Sequence, residues 1–317
     1  MKFLDLVACT WFSNQQSARF DRLYAQDGFD VARSLASLFP CYLFSEFNLF
    51  YGTERRLALA DDPDSYLSWF ASRIDLFHRI CLPSFDSLFV KPSAWFLLCD
   101  QPQSEQEQAL LHRLQGLSTS FSIITDDFRS ASSDHERHYQ RKPALIRRAV
   151  ESVLGARVPS AIVTTRLDTD DCIGSAYFYN LQKYLFLREK RCYNLPPSDF
   201  IANMPIGAQI ELSSTAGLDG ESHHGSSSSY RINSAKALIF GENCFTSRVE
   251  YVKPAQSLST VWSCPHDEVF GVLPVENLVT QCPAWYQVVH GRNVANHLID
   301  SDMLVTRESL PAYLCSS

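Results

Sequence analysis

Three apolar runs in this chain end in carboxylates, and that repetition limits the folds open to it. They are "AWFLLCD" (94–100), "FSIITDD" (121–127) and "AIVTTRLDTDD" (161–171). A continuous apolar run offers no face to water, so each reads as a buried strand covered on both sides. Between them lie segments with apolar residues at helical spacing. "SEQEQALLHRLQGL" (104–117) has Ser104 placed to cap it, and "KPALIRRAVESVLG" (142–155) has Pro143 in its first turn and Gly155 at its end. Upstream, "CYLFSEFNLFYG" (41–52) reads as a strand running into a loop. "DDPDSYLSWFASRIDLFHRICLPSFDSL" (61–88) reads as a helix opened by acids and a proline, with Tyr66, Trp69, Phe70, Ile74, Phe77 and Ile80 at intervals of about three or four. "GSAYFYNLQKYLFLREK" (174–190) supplies the next helix.

Strand and helix thus alternate over 40–190, which predicts an open, mostly parallel α/β sheet with helices on both faces. In such sheets ligands bind beyond the carboxyl ends of the strands. Asp100, Asp126, Asp127, Asp168, Asp170 and Asp171 all fall at such ends. Past residue 190 the texture changes. "GAQIELSST" and "ALIFGENCFTSRVEYV" read as strands, so 191–317 is expected to be more antiparallel. Between them "GLDGESHHGSSSSYRINS" reads as a flexible Ser/Gly-rich loop, centred on 217–229; its paired His223 and His224 are read as solvated rather than metal-binding. Residues 1–39 are expected to form an N-terminal extension, with helical spacing over 14–38 stopped by Pro40, and the whole to merge into one domain.

Composition excludes several classes. A formal charge of −7 and no long basic block argue against a nucleic-acid partner. Ten cysteines without a C-x-x-C pair read as buried free thiols in a reducing, cytoplasmic setting. The apolar run before Cys9 is short and broken by Asp5, which does not suit a secretory leader. No stretch is apolar for long enough to span a bilayer, although peripheral membrane contact stays open.

The densest charge is "LDTDD" (167–171). Carboxylates crowded at the mouth of a sheet repel one another unless they share protons, pair with Arg166, or hold a hard divalent ion such as Mg²⁺ or Mn²⁺. A calcium loop of the helix–loop–helix type lacks its twelfth-position Glu, and a phosphatase of the Asp-x-Asp-x-Thr type has Cys172 where the Thr belongs. Capping of the following helix is the plain structural alternative.

"SEFNLF" (45–50), "WFASRIDLFHRICLPSF" (69–85), "AWFLLCDQ" (94–101), "TTRLDTDD" (164–171) and "PAWYQVVHGRNVANHL" (283–298) together resemble a bacterial rhamnosyltransferase family of glycosyltransferases. The resemblance spans roughly 40–300 and rests mainly on "TRLDxDD" and "W-x-x-V-x-H-G-x-N-V". It implies a GT-A-like fold. It further implies a hexosyl transfer from a nucleoside-diphosphate sugar to a hydroxyl of a glycan or glycolipid, with Mn²⁺ or Mg²⁺ held by the Asp-x-Asp. Asp168 and Asp170 match the motif acids and Asp171 their catalytic neighbour, while Asp100 would lie near the nucleoside. Where that family has an arginine before "FN", this chain has Glu46.

Other residues complete the expected site. Asp170 is the first choice as metal ligand, Asp168 a contact to metal or ribose, and His290 a third metal ligand or diphosphate contact. Arg292 and Asn293 are read as phosphate or hydroxyl contacts. Arg73 and Arg166 can each grip a diphosphate bidentately or pair with a nearby acid. Asp267 and Glu268 in "CPHDEVFG" are candidates for the base of an inverting transfer, or belong to a polar turn. Lys142, Arg147 and Arg148 are read as a solvated helix face. A nucleotidyltransferase or a non-catalytic nucleotide- or carbohydrate-binding module are the alternative readings.

Overall fold

A computed structural model describes residues 22, 25, 31, 33–48, 62–133, 135–191, 198–214, 230–239, 246–251, 273–278, 280 and 283–289. The strands are β1 (Cys41–Glu46), β2 (Ala94–Asp100), β3 (Ser122–Asp126), β4 (Ala161–Arg166), β5 (Cys172–Ile173), β6 (Phe200–Asn203), β7 (Ile206–Ser214), β8 (Tyr230–Ile239), β9 (Thr246–Tyr251), β10 (Val275–Asn277) and β11 (Trp285–Val289). The helices are α1 (Pro63–Leu76), α2 (Leu82–Asp86), α3 (Glu105–Gln115), α4 (Lys142–Leu154) and α5 (Tyr177–Arg191). A widened turn over Phe77–Cys81 joins α1 to α2, and a similar one over Glu136–Arg141 leads into α4.

The large sheet has seven strands in the order β10-β6-β9-β4-β1-β2-β3. β9 is antiparallel to both β4 and β6, and the remaining pairs are parallel, so β9 alone runs against the others. Alternate side chains of β1 feed two cores. Cys41 and Leu43 pack with residues of α1, α3 and α5 such as Phe70, Leu114 and Leu181. Tyr42 and Phe44 pack with Leu145, Ile146, Ala149 and Val150 of α4 on the other face. Connection handedness accounts for this split. The chain steps from β1 to β2 to β3 in one direction, then returns past β1 to β4, and right-handed crossovers must place α4 opposite α1 and α3. The open, mostly parallel, helix-flanked sheet expected from the sequence is therefore the observed architecture, and it is consistent with a GT-A-like fold.

Local signals act as the sequence suggests. Asp62 caps α1 by accepting from Ser65 N at 3.2 Å, with Pro63 in the first turn. Ser104 caps α3 by accepting from Glu107 N at 3.2 Å, and α4 ends at Gly155, whose φ is +57°.

Some expectations are corrected. β3 is the edge strand and only partly covered, not a buried strand. "ALIFGENCFTSRVEYV" is divided between two sheets: β8 begins at Tyr230, inside the stretch read as loop, while β9 joins the large sheet. The part beyond residue 190 is mixed rather than antiparallel, because β10–β6 and β11–β7 are parallel pairs. The loop 217–229, most of the N-terminal extension and the serial acids of 264–271 lie outside the described residues.

The second sheet runs β5-β11-β7-β8. Its edge strand β5 directly follows the acidic turn, so this sheet is tied to the carboxyl edge of the first. At Gly174 an added Cβ would lie 2.6 Å from Pro283 O, and Gly174 N donates to Ala284 O at 2.8 Å. Only glycine lets the two backbones approach that closely. Cys41, Cys81, Cys99 and Cys172 are free and buried, as the thiol reading anticipates. Among the described residues no helix is long and apolar enough to cross a membrane.

Candidate functional site

The strand order creates a divergence between β1 and β4. The chain leaves β1 toward β2, while β4 lies on the opposite side, so the segments after these neighbouring strands separate at their carboxyl ends. Such a switch point is where open α/β sheets hold ligands. Here it is lined by Glu46 from β1, by Arg166 and the turn 167–171 after β4, by Lys142 at the start of α4 and by Arg73 from α1.

The acidic turn is anchored on every side. Asp171 N donates to Asp168 O at 3.1 Å, closing the turn, and Leu167 N donates to Phe44 O at 3.0 Å. Thr169 is buried, and its hydroxyl donates to Glu46 O at 3.2 Å. Arg73 donates from Nε to Thr169 Oγ1 at 3.0 Å, from Nη1 to Asp170 Oδ2 at 2.9 Å and from Nη2 to Asp170 Oδ1 at 3.1 Å. Trp69, one helical turn before Arg73, lies against the guanidinium at 6.0 Å from its ring centre. Of the two roles open to Arg73, pairing with an acid is the one the geometry displays.

Arg166 shows the same choice more loosely, with Nε and Nη2 each 3.4 Å from Asp168 Oδ1. The Asp168 side chain, 36% exposed, is the most open carboxylate of the turn. Asp171 is the opposite case. It is 1% exposed, and its Oδ1 accepts from Val288 N of β11 at 2.8 Å. Burial, reinforced by Asp170 and Asp168, pushes its carboxyl well above the usual range. A buried carboxyl holding a neighbouring strand positions the turn, and this is where the structure places the residue expected to be catalytic.

Glu46 and Lys142 form a buried ion pair across the crevice. Lys142 is 4% exposed, which corrects its reading as part of a solvated helix face. Burial lowers its pKa, and Arg166 adds to that, while Glu46 opposes. Glu46 therefore has a local partner of opposite charge. Arg148 does keep the exposed position expected of it.

Asp100 lies at the neighbouring mouth between β2 and β3 and is fully buried. Its Oδ1 accepts from Phe128 N at 3.1 Å and Gln101 N at 3.0 Å, and Arg129 Nε stands 3.4 Å from Oδ2. Arg129 also grips Glu107 through Nη1 at 3.2 Å and Nη2 at 2.9 Å, and lies 5.4 Å from the Tyr66 ring centre. Burial raises the Asp100 carboxyl to about 6, against the lowering effect of Arg129. Sequence reasoning missed Arg129, Glu107, Thr169 and the Glu46–Lys142 pair. Only Glu107 carried a local signal, three residues after the capping Ser104.

The structure thus gathers Arg73, Arg166, Asp168, Asp170 and Asp171 in one place and sets Asp100 under its own loop. His290, Arg292, Asn293, Asp267 and Glu268 lie outside the described residues. The acids as disposed do not fit a divalent ion by themselves. Both oxygens of Asp170 face guanidinium nitrogens, Asp171 is committed to β11 and Asp168 faces Arg166. Among the described residues no three His, Cys, Asp or Glu side chains converge as a metal site.

Fold and crevice define a mixed α/β protein with a charged switch-point site. No family model matches the chain, and no curated protein matches it significantly. Among solved structures it is similar to mouse xyloside xylosyltransferase 1 in the apo form, at 12% identity and a TM-score of 0.22 over 52% of each chain. The chain spans about half of that structure.

Proposed function

We propose that this protein is a glycosyltransferase that binds a nucleoside-diphosphate sugar in the crevice between β1 and β4. The observation that carries the reading is the position of the charged cluster: Arg73, Arg166, Lys142, Glu46 and the turn 167–171 meet at the carboxyl ends of the neighbouring parallel strands β1 and β4. The resemblance of "TRLDTDD" and "WYQVVHGRN" to rhamnosyltransferase motifs supplies the chemistry, with rhamnose as one candidate sugar. In the reaction, the bond from the anomeric carbon to the diphosphate breaks and the nucleoside diphosphate leaves. The acceptor oxygen forms the new bond and gives its proton to a carboxylate base, the role that the sequence offers to Asp267 or Glu268. Arginine beside the leaving diphosphate stabilises the charge that develops there, and Asp168, the most open acid, reaches the ribose or sugar hydroxyls.

Pairing of Glu46, Asp168 and Asp170 with cations favours one second reading, a module that binds nucleotide sugars without turning them over. Incubation of purified protein with a panel of nucleotide sugars separates the two. A glycosyltransferase releases nucleoside diphosphate slowly even without acceptor; a binding module is stabilised thermally by the same compounds and releases nothing. Release of pyrophosphate from a nucleoside triphosphate would instead identify a nucleotidyltransferase and overturn the proposal.

A further inference from the structure

We infer that Arg73 is the fixed cation of this crevice: it holds, through its two-point pair with Asp170, the position at which that carboxylate would take a divalent ion, and it offers its remaining donors to a ligand diphosphate. The inference deepens the nucleotide-sugar reading and rests on it.

Arg73 is built into its place. α1 carries it in the last turn, the indole of Trp69 lies along one side, and Thr169 Oγ1 fixes Nε. Thr169 is in turn held to the backbone of β1. The pair is largely desolvated, with side-chain exposures of 14% for Arg73 and 8% for Asp170. A guanidinium has five N–H donors, and Asp170 with Thr169 takes one from each nitrogen. The outer hydrogens of Nη1 and Nη2 are left; they point to opposite sides of the guanidinium, and each can donate singly to a phosphate oxygen.

The disposition of the other acids points the same way. Carboxylates that share a metal ion converge on one point, whereas Asp168, Asp170 and Asp171 each turn to a different partner: Arg166, Arg73 and the backbone of β11. A divalent ion at Asp170 would have to displace a guanidinium that is held at three atoms. An arginine in that role carries its charge at every working pH and needs no ion from solution.

Mn²⁺ titration of the full chain, followed by calorimetry and by loss of the free-ion spin-resonance signal, tests this without any turnover. The wild type is expected to show no saturable one-to-one Mn²⁺ binding, and Arg73→Ala to gain it, since the carboxylate is released. In parallel, the affinities for UDP, GDP and dTDP are measured in EDTA and in Mn²⁺. The nucleotide that binds wild type should do so equally in both, and Arg73→Ala should weaken it about tenfold or more. Arg73→Lys, which keeps the charge and the fold's ion pair, should weaken it less. Saturable Mn²⁺ binding to wild type that Asp170→Asn abolishes overturns the inference, as does nucleotide binding that needs Mn²⁺. If none of the nucleotides binds in either condition, the nucleotide-sugar reading fails, and the Mn²⁺ titration still decides whether Arg73 holds the cation position.

Discussion

The mouths of β2–β3 and β1–β4 carry the same sequence signature, an apolar strand ending in acid, and put it to different uses. At β2–β3 the segment after β3 folds back so that Phe128 and Arg129 cover Asp100 completely. At β1–β4 the connections part, and cations arrive from α1, α4 and β4 itself. Asp168 there keeps a side-chain exposure of 36%. An acid at a strand end is therefore sealed or left open according to whether the segment after the strand folds back over it.

Substitutions can break this contrast, beginning with the largest expected effect. Lys142→Met should cost about 3–5 kcal/mol in urea unfolding, because Glu46 is left charged in a buried place, and adding Glu46→Gln should restore most of it. A cost near zero would mean that the crevice is wet and the pair is not structural.

The β2–β3 mouth should show itself in pH dependence. Asp100 has a folded-state value of about 6 against an ordinary 3.8. Between those values the folded protein keeps a proton that the unfolded chain has released. Its contribution is thus fully present below 3.8 and lost as pH rises through 6, a change on the order of 3 kcal/mol. Chemical denaturation between pH 4 and 7 should reveal that slope, and Asp100→Asn should flatten it.

Asp171 sharpens the comparison within the crevice. Asp171→Asn keeps an oxygen for Val288 N and should change stability by less than about 1 kcal/mol, whereas Asp171→Leu should cost roughly 1–3 kcal/mol by orphaning that donor. Equal losses in the two variants would show that a charged carboxylate is required. The smallest effect belongs to the exposed pair Arg113–Asp75, with side-chain exposures of 47% and 42%. Arg113→Ala should move the urea midpoint by the equivalent of under about 1 kcal/mol.

Much of the fold is legible in the sequence because the signals for it are local. Apolar runs give β1, β2 and β4, and caps at Asp62 and Ser104 with Gly155 mark helix ends. Asp168, Asp170 and Asp171 stand out as a candidate site for the same reason: they follow a buried strand directly. Charge pairing is not legible, because partners meet only after folding. Lys142 meets Glu46 across 96 positions, and Asp170 meets Arg73 across 97. A lysine in a helix's first turn looks solvated until a strand end is laid beside it. Sheet membership is hidden likewise: nothing local in 237–252 tells that β8 and β9 part company, since pairing depends on β7 and β4.

The buried thiols offer a clock for motions of these two regions. Cys41 and Cys99 lie inside the central strands, and burial pushes the Cys41 thiol up to about 12. Cys81 and Cys172 flank the acidic turn, with Cys81 Sγ 4.0 Å from Asp168 O and Cys172 Sγ 3.6 Å from Ile80 O. An alkylating reagent reaches any of them only when its surroundings open, because it needs both access and a thiolate. Modification at Cys81 or Cys172 ahead of Cys41 would reveal that the turn breathes while the strands stay shut.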